Sequence, residues 1–155
     1  MASISLEQRE VIEDCLLQIK EGIENLIKWN EEVKDMNELL MSSGGMQDLA
    51  GNCMIIMAVA EGFKKIDKLT EGQFLLLRPE IPWKQVFGLR NRIAHGYFDI
   101  DTEVITEVIN NDLEPLLKAT RQMLTSISTW YVHVQVFLTP LLLSTTSSTS
   151  VVMSS

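Results

Sequence analysis

The sequence predicts an all-α fold, an up-and-down bundle of four to five helices with an irregular, uncharged C-terminal tail. Three observations carry this. Apolar residues recur at three- and four-residue steps through most of the first 125 positions. Clusters of serine, glycine and proline separate these runs. No convincing strand pattern occurs before residue 130. A chain of 155 residues, 46% apolar and 22% charged, is most simply one domain around a single core.

The elements follow in order. Val11, Ile12, Cys15, Leu16, Ile19, Ile23 and Ile27 define a first helix from about residue 6 to the late thirties, with a break near Trp29 and Ser5 as N-cap. Ser42 to Gly45 marks a turn. Met46, Leu49, Ala50, Cys53, Ile56, Met57, Ala60 and Phe63 continue the period through a second helix to about Leu69. Gly72, Pro79 and Pro82 break the connection over residues 70–82, and Pro82 suits a helix's first turn. Trp83, Val86, Phe87 and Ile93 give a shorter third helix ending near His95, with Gly96 placed for a left-handed C-terminal residue. Asp99 and Asp101 are candidate N-caps for a fourth helix built on Val104, Ile105, Val108, Ile109, Leu113, Leu116 and Leu117. Pro115 is placed to kink it before it ends near Leu124.

The composition then changes. The 34 positions after Arg121 hold no formally charged residue. "WYVHVQVF" alternates like a strand, and "STTSSTSVVMSS" is low-complexity. The expected division is a helical domain over residues 1–125 and a poorly ordered tail over 126–155. The apolar stretch from Trp130 to Leu143 is shorter than the ~20 residues that a spanning helix needs, so no membrane partner is expected.

Charge and cysteine content narrow the function classes. The overall charge of −8 argues against broad coating of nucleic acid. Its distribution is uneven. Residues 62–95 hold seven basic side chains (Lys64, Lys65, Lys68, Arg78, Lys84, Arg90, Arg92) against three acidic ones, a local +4 that leaves −12 for the rest. Such a patch could accept a polyanion at one place, although solvated helix faces give the same pattern. Cys15 and Cys53 lie far apart in apolar periodic runs and read as core residues. No cluster has zinc spacing and no cofactor motif appears, so neither a metal nor a cofactor is expected. Acidic residues crowd the N-terminus where a leader would be basic or apolar, which fits a reducing cytoplasm.

Chemistry concentrates in "RNRIAHGYFDID", residues 90–101. Ribonucleotide cleavage can proceed without metal when a base takes the ribose 2′-OH proton and a cation stabilises charge on the phosphoryl oxygens. His95 is suited to the first task, its ordinary pKa being ~6.5. Arg90 is suited to the second through its planar fork of donors. Asn91 could orient either the histidine or the substrate. Five steps along an ideal helix leave Arg90 and His95 about 140° apart. They converge only if the helix unwinds near Gly96 or a second subunit completes the site. The bare two-residue spacing is common, and both residues also suit a helix C-terminus electrostatically.

The wider stretch is more specific. "PEIPWKQVFG", "LRNRIAHGYFDID" and "NDLEPL" together closely resemble the HepT-like branch of the HEPN superfamily, over roughly residues 5–125. These are small prokaryotic all-α toxins usually encoded beside a minimal nucleotidyltransferase. The family hallmark, often extended to Arg-x4-His-x-Tyr, reads here as Arg90, His95 and Tyr97. The resemblance implies a homodimer whose paired motifs line a cleft, and metal-independent endoribonuclease activity on tRNA or mRNA. It implies Arg90 and His95 as the catalytic pair with Asn91 in support. It also implies that the partner nucleotidyltransferase silences the toxin by transferring AMP to Tyr97, placing bulk and negative charge beside His95. Glu61, in the apolar stretch "IIMAVAEGF", could hold Arg90 but reads better as a solvent-facing helix residue. Two other readings stand beside the nuclease: a non-catalytic HEPN dimer presenting substrate or nucleotide to the nucleotidyltransferase, and a structural bundle with no nucleic-acid role. The uncharged tail and the overall acidity depart from the family pattern.

Overall fold

The computed structural model describes residues 4–94 and 99–129 with their side chains, and the backbone alone of 95–96 and 130–145. Within these residues the fold is an all-α bundle, with one short two-stranded hairpin beside it.

Helix α1 spans Leu6–Trp29 and starts as the sequence requires. The Ser5 hydroxyl accepts from the Gln8 amide at 3.1 Å, and the Gln8 side chain accepts from the Ser5 amide at 3.0 Å. This reciprocal capping satisfies two amides that the first turn would leave without partners. Ile12, Leu16, Ile19, Ile23 and Leu26 lie along one fully buried stripe. The helix stops at Trp29, where the sequence placed a break, and does not resume to the late thirties; Met36–Met41 forms a separate 3-10 turn. Asn30 supplies the reason: its side-chain amide donates to the Leu26 carbonyl at 2.7 Å, competing with the backbone for the last turn.

Helix α2, Ser43–Leu69, begins inside the Ser-Gly cluster that the sequence marked as a turn. Ser42 is its N-cap and accepts from the Gly45 amide at 3.0 Å. A side chain on Gly45 would collide with the Leu39 backbone, so the glycine is needed for close approach of the 3-10 turn. Asn52, in the middle of α2, forms a buried reciprocal amide pair with Asn30, each donating to the other at 2.9 Å. This pair ties the end of α1 to α2. Cys15 and Cys53 are free and buried, as their placement in apolar runs predicted. Burial pushes the Cys53 thiol up to about 11, so it stays neutral and unreactive near pH 7.

Helix α3, Trp83–Ile93, follows the connection and an intervening 3-10 turn at Leu75–Leu77. Pro82 is its N-cap, one position before the first-turn placement that the sequence suggested. The chain then forms strands β1 (Ala94–Gly96) and β2 (Asp99–Ile100), paired antiparallel with Ala94 opposite Ile100. Helix α4, Thr102–Glu107, passes through a π-helical segment at Val108–Asp112 into α5, Leu113–Thr145. Of the two candidate caps Asp101 is the one used, its carboxylate accepting from the Val104 amide at 3.1 Å. The π segment accounts for Pro115. A proline lacks the amide for an i−4 bond and its ring meets the carbonyl four residues back, and a widened turn just upstream relieves both.

The bundle is organised around α1, which packs on α2 on one side and α5 on the other, while α3 packs on α2. α5 runs antiparallel to α1. Arg121 reaches Glu24 at 3.0 Å, and one turn or two later Ser128 approaches Glu13 at 3.5 Å. Ala119, Met123 and Ile127 on α5 are buried. The helix continues to Thr145, through the stretch whose alternation suggested a strand and past the boundary expected at 125. Once a helix is anchored by its buried face, adding residues fixes one backbone unit per hydrogen bond. No helix among the described residues is long and apolar enough to cross a membrane.

The Asn30–Asn52 pair gives a stability test. Asn52→Leu should cost ~1–3 kcal/mol in urea unfolding because it leaves the Asn30 carbonyl buried without a donor. The Asn30→Leu/Asn52→Leu double variant should cost less than the sum of the single changes. Strict additivity would show that the two amides do not act as a pair.

Candidate active site at the end of the third helix

The inward face of α3 is set by Val86, Leu89 and Ile93, all buried. Arg90 and Asn91 consequently point outward on its last turn, and both are exposed. Arg90 makes no ion pair among the described residues, whereas Arg92 reaches Glu107 on α4 at 3.6 Å. Both partners of that contact are largely solvated, so it orients more than it stabilises.

The helix ends before His95. Ala94 is its C-cap in extended conformation, its amide bonding to the Arg90 carbonyl. His95 then lies in β1, and Gly96 is a strand residue where the sequence suggested a helix-terminating glycine. The physical cause is long-range. The Asp101 amide donates to the Ile93 carbonyl at 2.8 Å, so the strand that follows satisfies the helix end. The angular separation of an ideal helix therefore no longer applies to Arg90 and His95, since the backbone unwinds between them. The His95 side chain and all of Tyr97 lie outside the described residues, so the expectations for both rest on the sequence. Glu61 is exposed and pairs with Lys64 at 3.0 Å, in agreement with the solvent-facing reading.

The start of α3 is held by aromatic packing. The Trp83 indole N–H donates to the carbonyls of Leu75 and Arg78, both at 2.9 Å, which fixes the preceding 3-10 turn to the helix. Its ring lies 4.9 Å from buried Phe63 on α2, and Phe87 stacks beside it at 6.5 Å and 30°. Of the seven basic residues of the 62–95 segment, Lys65, Lys68, Lys84 and Arg90 are exposed on α2 and α3.

A separate cavity of about 240 Å³ lies between α3 and the start of α5, with Leu89, Val108, Leu113 and Pro115 in its walls and Arg92 and Asp112 among its polar groups. The sequence reading missed it. The signal was "NNDLEP", a polar run followed by proline inside an apolar helix, which corresponds to the π segment. Desolvation raises the Asp112 carboxyl above the usual aspartate range; Glu107 adds to the rise and Arg92 opposes it. Among the described residues no three histidine, cysteine or acidic side chains stand together as a metal site.

An all-α bundle carrying Arg-x4-His-x-Tyr at the end of a helix defines a HEPN-type chain. Comparison with known proteins gives the family: residues 21–123 match the model of the ribonuclease HepT-like family, and the chain belongs to it. It is 27% identical over 106 residues to an inferred RNase of Methanocaldococcus jannaschii, covering 66% of this chain and 87% of that one. It is 25% identical over 97 residues to an inferred ribonuclease HepT of Thermococcus cleftensis, covering 63% and 87%. An inferred RNase of Caldanaerobacter subterraneus is 27% identical over 66 residues, covering 43% and 55%. No solved structure matches the chain at comparable significance.

Asp112 makes the electrostatics testable. An aspartate raised in the fold begins to cost stability above its unfolded pKa of ~3.9, and the full penalty is present above the folded value. Asp112→Asn should therefore melt slightly higher than wild type at pH 7, and the two should converge near pH 3. Equal melting at both pH values would show that the fold does not raise the Asp112 carboxyl.

Proposed function

We propose that the chain is a metal-independent endoribonuclease toxin acting on tRNA or mRNA as a homodimer, and that a minimal nucleotidyltransferase neutralises it by AMPylating Tyr97. Family membership supports the ribonuclease part, since the relatives named above are inferred RNases. The observation that carries the site is the arrangement at the end of α3. Arg90 and Asn91 are exposed on the last turn, and the chain leaves the helix between them and His95.

In this reading His95 removes the proton from a ribose 2′-OH, and the oxygen attacks the adjacent phosphorus. A 2′,3′-cyclic phosphate forms as the bond from phosphorus to the 5′ oxygen breaks, and that oxygen leaves with a proton. Arg90 holds the phosphoryl oxygens as charge builds on them, with two parallel N–H donors. Asn91, one position on, orients the substrate by hydrogen bonding. A second subunit supplies the same patch across a twofold axis, so that two motifs face one cleft. Tyr97 follows His95 by two residues, and AMP on its phenolic oxygen would put negative charge where the RNA phosphate must approach. Residues 1–125 are the proposed working domain, and 126–155 an appendage to it.

Cleavage of RNA by the isolated protein in excess EDTA tests the reading. His95→Ala should lower the rate by ~10²–10⁴-fold while the oligomeric state is kept, and Arg90→Ala should also abolish most cleavage. Persistent cleavage by His95→Ala would remove His95 as the base, and loss of wild-type cleavage in EDTA would remove the metal-independent route. The silencing step is read by intact mass after incubation with the nucleotidyltransferase and ATP. A gain of AMP units that disappears in Tyr97→Phe is expected; no gain with wild type would overturn it.

A further inference from the structure

The proposed chemistry uses Arg90, Asn91 and His95 but not the aromatic row that leads to them. On α3, Phe87 lies three and four residues before Arg90 and Asn91, so those two side chains flank it at about 60° and 40°. Phe87 is only half-buried. It is also held in place from one side, because it stacks on Trp83. Trp83 is itself fixed by two hydrogen bonds and by Phe63. Lys84, one turn before Phe87, is exposed as well. A half-buried ring, propped from one side and set between a guanidinium that makes no ion pair among the described residues and a carboxamide, has the form of a stacking platform. Unpaired nucleobases stack on such rings while neighbouring cations hold their phosphates.

We propose that Phe87 binds the nucleobase adjacent to the scissile phosphate by stacking, and that Trp83 is the positioning residue that keeps its ring oriented. This rests on the ribonuclease reading. It makes the substrate a single-stranded segment, because a base inside a duplex cannot offer its face. Stacking is tolerant of sequence, so Phe87 contributes register and affinity more than base identity.

The test uses a short single-stranded 2′-O-methyl oligoribonucleotide, which has no 2′-OH to attack, and a series in which one position at a time is abasic. Binding is followed by fluorescence anisotropy for wild type, Phe87→Leu, Phe87→Tyr and Trp83→Phe. Wild type should lose roughly 5- to 150-fold in affinity at one abasic position. Phe87→Leu should bind the intact strand that much more weakly and lose nothing further at that position. Phe87→Tyr should restore wild-type behaviour, and Trp83→Phe should fall between. Circular dichroism melting checks that the leucine variant folds; if it does not, the abasic scan on wild type and Phe87→Tyr decides alone. No abasic position that discriminates, or a Phe87→Leu loss equal on every strand, overturns the proposal. If the unmodified strand is still cleaved in that case, the nuclease reading stands without it. A wild type that neither binds nor cleaves RNA overturns both.

Discussion

The structure depends on the buried stripe of α1. Ile12, Leu16, Ile19, Ile23 and Leu26 are inaccessible only because α2 and α5 both pack on that helix. Each such side chain gains about 1.5–3 kcal/mol when removed from water, and the gain requires both neighbours in place. Helix formation, burial and chain direction are thus one cooperative event. Polar groups accompany the packing: the exposed Arg121–Glu24 pair orients α5 against α1, and the buried Asn30–Asn52 pair ties α2 to the end of α1.

From that frame the site is one step removed. α3 packs on α2 through Val86, Leu89 and Ile93, and this burial turns Arg90 and Asn91 outward. The chain must then reverse to begin α4. It does so over a hairpin whose base is closed by the Ile93 carbonyl and the Asp101 amide. Asp101 serves twice, its amide closing the hairpin and its carboxylate capping α4. Arg90 and Asn91 are thereby carried on the last turn of a packed helix, directly before the hairpin. The π segment beside it serves the same geometry, accommodating Pro115 and opening the neighbouring cavity without breaking the helix.

Charge follows a similar division. The acidic excess sits mostly outside residues 62–95, and exposed cations cluster on α2 and α3. Lys64 and Arg92 are occupied by Glu61 and Glu107, while Arg90 has no carboxylate partner among the described residues. The raised Asp112 carboxyl is a small electrostatic cost, tolerated at the cavity between α3 and α5.

The sequence by itself determined the all-α class, the helical period of each core segment, Ser5 as a cap, the pair Asp99 and Asp101 as candidates for another, and the buried state of both cysteines. These are local or one-dimensional properties, since a 3.6-residue period names a face without knowing what covers it. It also determined the Arg-Asn-x3-His-Gly-Tyr motif that points to the family. Tertiary structure decided where helices end. Trp29 ends α1 where the Asn30 side chain takes the Leu26 carbonyl and pairs with Asn52, twenty-two positions away, and Ile93 ends α3 because Asp101 returns to its carbonyl. It also decided that residues 130–137 are helical despite their alternating pattern, because α5 already leans on α1 when it reaches them. Such outcomes depend on partners distant in the chain, and no local pattern encodes which of two competing hydrogen bonds a backbone group will find when the bundle closes.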